Sequence, residues 1–116
     1  MSIVIYHNPK CSKSRQTLQL LEQNGVTPEV IHYMDAPPSA DTLRDLLGKL
    51  GMTSPRELMR TKEDEYKQLG LADAGKTDAE LLAAMSAHPR LMERPVVVNG
   101  ERAALGRPPE NVLEIL

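Results

Sequence analysis

A chain of 116 residues fits one domain, since single hydrophobic cores commonly serve roughly 100 to 200 residues. Apolar residues at 41% and charged residues at 26% exclude a disordered or low-complexity chain. A net charge of -2 argues against a nucleic-acid binder held by bulk charge. No apolar run approaches the roughly 18 residues of a membrane helix, and the start Met1-Ser2-Ile3 lacks the pattern of a signal peptide. The expectation is a soluble, cytoplasmic protein with neither membrane nor nucleic acid as partner. Three tyrosines without Trp or Phe leave few rings for stacking bases, and the core is expected to be built from Leu, Val, Ile, Ala and Met.

Residues 2–6, Ser-Ile-Val-Ile-Tyr, are β-branched and apolar and end at the turn-like His7-Asn8-Pro9, which reads as a buried strand. A helix follows over 12–24, with Leu18, Leu20 and Leu21 at helical spacing and Gly25 as its left-handed C-terminal residue. Residues 29–33 form a second strand, and the strand–helix–strand order with short joins makes the two strands parallel. After Pro37-Pro38-Ser39, the spacing of Leu43, Leu46, Leu47 and Leu50 predicts a helix ending at Gly51. Ser54-Pro55-Arg56-Glu57 and Thr77-Asp78-Ala79-Glu80 are capping-box patterns that each predict a helix start, the second helix ending near Pro89. Val96-Val97-Val98 before Asn99-Gly100 predicts a hairpin turning on those two residues and returning through Ala103-Ala104-Leu105. Pro108-Pro109 opens a terminal helix with Val112, Leu113 and Leu116 on one side. The predicted architecture is α/β, one domain over residues 1–116: a mixed four-stranded sheet with a helical insertion at about 39–89, between the second and third strands.

The single cysteine, Cys11, excludes an intramolecular disulfide, a Cys-X-X-Cys pair and every multi-cysteine zinc site. Redox chemistry in this chain therefore needs an outside thiol, and no bound metal or cofactor is expected. Cys11 lies at the junction of the first strand and first helix, where unpaired N–H groups and the positive end of the helix dipole favour a thiolate. A thiol of pKa about 8.5 is only about 3% ionised at pH 7, and lowering its pKa by roughly two units raises that fraction about 25-fold. A lone cysteine is often just a small buried hydrophobe. Here Asn8, Pro9, Lys10, Ser12 and Lys13 form a polar stretch that a core position does not carry, which points to a reactive thiol. His7 and Ser14 are candidates for tuning it, although His7 also fits a plain strand-end residue bonding the backbone.

A phosphatase-type Cys-X5-Arg loop needs Arg at position 17, where Thr17 stands. Arg60, Arg94 and Arg107 remain candidates for an oxyanion site, because guanidinium forks suit tetrahedral oxyanions. Sequence alone does not bring the three together. Pro95, directly before an apolar strand, suits a cis turn facing the thiol.

Ordered motifs now carry a resemblance. Residues 6–11 (Tyr-His-Asn-Pro-Lys-Cys) with Ser14-Arg15, Leu58-Met59-Arg60 with Tyr66 and Leu69-Gly70-Leu71, Glu93-Arg94-Pro95-Val96-Val97, and Gly106-Arg107-Pro108-Pro109 resemble the glutaredoxin-dependent arsenate reductase family. With Ser12-Lys13 after the cysteine and an end at Leu116, the chain is most similar to that family's shorter, chromosomal branch. The resemblance implies a thioredoxin-like fold, Cys11 as the nucleophile, Arg60, Arg94 and Arg107 as oxyanion ligands, and Pro95 as the cis-proline of the fold. It further implies arsenate as substrate, glutathione as co-substrate, glutaredoxin as partner and arsenite as product. Two other readings compete. A monothiol glutaredoxin-like oxidoreductase would use Cys11 on glutathione mixed disulfides without needing the three arginines. An Spx-type RNA polymerase-binding regulator shares the fold, but Ser14 stands where the second cysteine of its redox switch would be.

Overall fold

The computed structural model describes residues 3–116, so Ser2, expected to open the first strand, lies outside the described residues. Strand β1 (Ile3–His7), helix α1 (Ser12–Gln23) and strand β2 (Glu29–His32) form the expected parallel unit, with Tyr6 opposite Ile31 and His7 opposite His32. Gly25, at φ 76°, lets the chain leave α1 in the left-handed region open to glycine. Strands β3 (Val96–Asn99) and β4 (Arg102–Leu105) complete an α/β sheet of order β2-β1-β3-β4 in which β3 runs antiparallel to both β1 and β4.

Between β2 and β3 lie α2 (Ala40–Leu50), a 3₁₀ turn (Pro55–Leu58), α3 (Asp64–Gln68), α4 (Asp78–Ala87) and a second 3₁₀ turn (Pro89–Leu91). The chain divides into two compact units, Met1–Ala36 with Arg94–Leu116, and Pro37–Glu93. In the first, Ile5, Leu21, Val97, Val112 and Ile115 form a core with Leu18, Leu20, Val30 and Ala104 packed against it. In the second, α2 buries Leu43, Leu46 and Leu47, and α4 buries Leu81, Leu82 and Met85. Ser39 caps α2 by accepting the Thr42 N–H, and both capping boxes read from the sequence are formed.

Four local expectations are corrected. The hairpin turns on Gly100-Glu101, because Asn99 pairs with Arg102 and glycine alone, at φ 63°, supplies the positive φ. The segment after Ser54 is a single 3₁₀ turn rather than a helix, so Arg60 lies beyond it, next to the extended Met59, which forms an isolated bridge with Met92. The terminal helix is also 3₁₀, Pro109–Ile115; at three residues per turn it buries Pro109, Val112 and Ile115 and leaves Leu113 and Leu116 exposed. All three tyrosines are buried, so the core is not purely aliphatic.

Candidate active site

Extended backbone at Cys11 (φ -98°, ψ 123°) makes this residue the N-cap of α1, and its carbonyl accepts the Arg15 N–H at 3.1 Å. The loop before it is fixed by its own polar groups. Cys11 N–H donates to the Asn8 carbonyl at 3.0 Å, Lys10 N–H to Asn8 Oδ1 at 3.0 Å, and Arg15 Nη1 to the Pro9 carbonyl at 2.7 Å. No side chain caps the helix, which leaves its first-turn N–H groups to the half-buried sulfur.

Burial is the largest single influence on the Cys11 thiol and pushes its pKa up. The backbone N–H of Ser14, the donors and charge of Arg94, and the backbone N–H of Lys13 together outweigh it, so the pKa falls below the ordinary value. This is the setting of a nucleophilic thiolate.

His7 and Ser14 act differently from a simple tuning pair. The fully buried Ser14 hydroxyl lies 2.7 Å from His7 Nδ1 and accepts the Asn8 N–H at 3.0 Å, so it is the backbone N–H of Ser14 that serves the thiol. His7 is not among the largest influences on Cys11. Its own pKa is lowered, first by burial and then by the neighbouring His32 and Arg15, so at neutral pH it is an uncharged brace between strand end and helix.

Arg94 and Arg107 flank β3 and β4, each directly before a cis proline, Pro95 and Pro108. Gly106 N–H donates to the Pro95 carbonyl at 3.0 Å and Arg107 Nε to the Arg94 carbonyl at 2.9 Å, which ties the two segments together. The Arg107–Pro108 bond had no sequence expectation attached to it. Arg60 belongs to the other unit. There its N–H donates to the Leu91 carbonyl at 2.6 Å and its Nη1 lies 2.7 Å from Glu63 Oε1, while the second Glu63 oxygen is 3.7 Å from Arg90 Nη2. Among the described residues no group of three or more His, Cys, Asp or Glu is placed to hold a metal ion.

Three contributors escaped the sequence reading: Tyr33, Thr17 and Gly106. Tyr33 follows β2 and is fully buried, and its ionisation responds to Arg94, Asn8 and Cys11. The usable signal was topological, since parallel β1 and β2 end side by side and residues just past strand ends form sites in such sheets. Thr17 and Gly106 meet under Pro95, where a Cβ on Gly106 would overlap Thr17 Oγ1.

Residues 6–115 match the model of the ArsC family. The chain is 60% identical over 114 residues to "Uncharacterized protein YfgD" of Escherichia coli (strain K12), covering 98% of this chain and 96% of that protein. It is 50% identical over 116 residues to an arsenate reductase of Haemophilus influenzae (strain ATCC 51907 / DSM 11121 / KW20 / Rd), covering all of both. Among solved structures, the arsenate reductase from Vibrio cholerae superposes with a TM-score of 0.98 at 55% identity, covering 100% of this chain and 98% of that one.

Proposed function

The chain belongs to the ArsC family and carries its thioredoxin-like fold, and we propose that it is an arsenate reductase working through the Cys11 thiolate with glutathione and glutaredoxin as electron donors. The observation that carries this reading is the thiol itself, held below its ordinary pKa by the Ser14 and Lys13 N–H groups and by Arg94. Two relatives of similar length, 50% and 55% identical, bear the name arsenate reductase.

In the proposed sequence, arsenate is held by Arg94 and Arg107, with Arg60 assigned as the third ligand on the motif resemblance. A doubly charged oxyanion needs several charge-assisted donors to replace its water. The Cys11 thiolate attacks arsenic, an As–O bond breaks and the oxygen leaves, with protons from solvent, as water. Glutathione displaces a second oxygen in the same way. A glutaredoxin thiol then attacks the glutathione sulfur, two electrons pass to arsenic, and a glutaredoxin–glutathione mixed disulfide leaves. Hydrolysis of the remaining arsenic–sulfur bond releases arsenite and restores Cys11. The only cysteine of the chain cannot close a disulfide within it, which agrees with an external resolving thiol. A reduced glutathione pool places the reaction in the cytoplasm.

The test is arsenate-dependent NADPH oxidation in a system coupled through glutathione, glutaredoxin and glutathione reductase. Activity should require both thiol components and vanish in Cys11→Ser, because a serine hydroxyl is not ionised at neutral pH. Turnover of glutathione mixed disulfides without any arsenate-dependent oxidation would replace this reading by the monothiol oxidoreductase.

A further inference from the structure

Among the described residues, two buried side-chain polar atoms have no hydrogen-bond partner, the Tyr33 hydroxyl and Arg94 Nε. They belong to one place. Because His7 pairs with His32, the next residues outward, Asn8 and Tyr33, are neighbours past the ends of β1 and β2. Because Tyr6 pairs with Val96 in the antiparallel sense, the same step outward from β1 runs back along the chain to Pro95 and Arg94. Tyr33, Asn8 and Arg94 thus stand in a row across one end of the strands β2, β1 and β3, beside the loop that presents Cys11.

Buried polar groups are rarely left unpaired without a functional reason. Here the two are complementary, a phenolic oxygen that can accept and a guanidinium N–H that must donate. We propose that Tyr33 is a positioning residue for Arg94: a small side-chain movement lets its hydroxyl take the Arg94 Nε–H and so fix the guanidinium, leaving the remaining N–H groups to the Cys11 thiolate and to the oxyanion bound there. The proposal rests on the role assigned above to Arg94. Burial raises the Tyr33 pKa against the opposing pull of Arg94 and Asn8, and the nearby Cys11 raises it further, so the phenol stays protonated over the working range. As a neutral group it orients the arginine without neutralising it, which a carboxylate in the same place would do.

The experiment is the pH dependence of iodoacetamide alkylation of Cys11 in four proteins: the parent, Tyr33→Phe, Arg94→Ala and the double variant. Phe fills the same space without the oxygen. Tyr33→Phe should move the midpoint upward and slow alkylation about threefold at a fixed pH below it, the change that roughly half a pH unit makes in the thiolate fraction. In the Arg94→Ala background the same substitution should do nothing more. An unchanged midpoint in a folded Tyr33→Phe, or an equal shift in both backgrounds, overturns the proposal. Should Tyr33→Phe fail to fold, NMR of the parent decides: a solvent-protected Arg94 Nε–H with a cross-peak to the Tyr33 ring is expected, and its absence counts against the contact. These readouts contain no arsenate, so an inactive enzyme in the coupled assay leaves them standing. A parent midpoint at or above that of a free thiol would instead remove the activated thiol on which the functional reading rests.

Discussion

Gly106→Ala tests how tightly the corner formed by Gly106, Pro95 and Thr17 is packed. A Cβ built on Gly106 lies 2.7 Å from Pro95 Cγ and 3.1 Å from Thr17 Cγ2 and overlaps Thr17 Oγ1, whereas carbon atoms rest about 3.5–4.0 Å apart. Neither neighbour yields readily. Thr17 is fully buried, β-branched and tethered by its Oγ1 to the Lys13 carbonyl at 2.8 Å, and Pro95 is a buried ring whose carbonyl accepts the Gly106 N–H. Overpacking of this kind costs roughly 1–3 kcal/mol. Lower unfolded-state entropy returns about 0.4–1 kcal/mol, for a net loss near 1–2 kcal/mol. For a chain of this length that lowers Tm by roughly 4–8 °C. Urea unfolding should show a lower midpoint at unchanged slope. Adding Thr17→Ala removes two of the three overlaps, so the double variant should lose less than the sum of the single losses. A Gly106→Ala protein within about 0.5 kcal/mol of the parent would refute the packing argument.

Two further outcomes follow from named groups. His7 has a folded-state pKa below its ordinary value of 6.5, so the unfolded chain binds more protons as pH falls below that value; stability should decline through this window and on toward the folded pKa. His7→Asn, which keeps a polar atom toward Ser14 but does not titrate, should lessen the decline between pH 7 and 5 in urea titrations, and an undiminished slope would remove His7 as its source. Under the proposed assignment of Arg60, Glu63 competes with the oxyanion for the guanidinium it now holds at 2.7 Å. Glu63→Gln should lower KM for arsenate about two- to fivefold with kcat little changed, the scale of an ion pair worth roughly 0.4–1 kcal/mol, and an unchanged or higher KM would argue against the competition.

The sheet was legible because its strands are β-branched runs and its crossover helix ends at a glycine that can take positive φ. What escaped depended on contacts that no periodicity encodes. Leucine spacing found Leu18, Leu20 and Leu21, which lie in the core or pack against it, but carried no sign of Ser14 and Thr17, which α1 buries as well. The terminal segment did mislead: an α-helical count selects Val112, Leu113 and Leu116, whereas the 3₁₀ period selects Pro109, Val112 and Ile115. Cys11, Arg94 and Arg107 were readable as candidates from residue type and motif. Tyr33 was not, because one tyrosine at a strand end carries no signal until the register places it beside Asn8.

The source of the thiol's activation has a consequence for how the enzyme responds to pH. In a Cys–His pair the two groups titrate together, and the apparent pKa values belong to the pair. Here the groups that favour the thiolate are backbone N–H donors and a guanidinium rather than an imidazole. His7, the nearby group that does titrate, spends its bonding on Ser14. The thiolate fraction should therefore follow a single ionisation, with no acid limb from an imidazolium. The activation is also built into the backbone: the Ser14 and Lys13 N–H groups point at the sulfur only while α1 begins at Ser12, so the reactivity of Cys11 depends on the fold of the first strand–helix unit as well as on the Arg94 side chain.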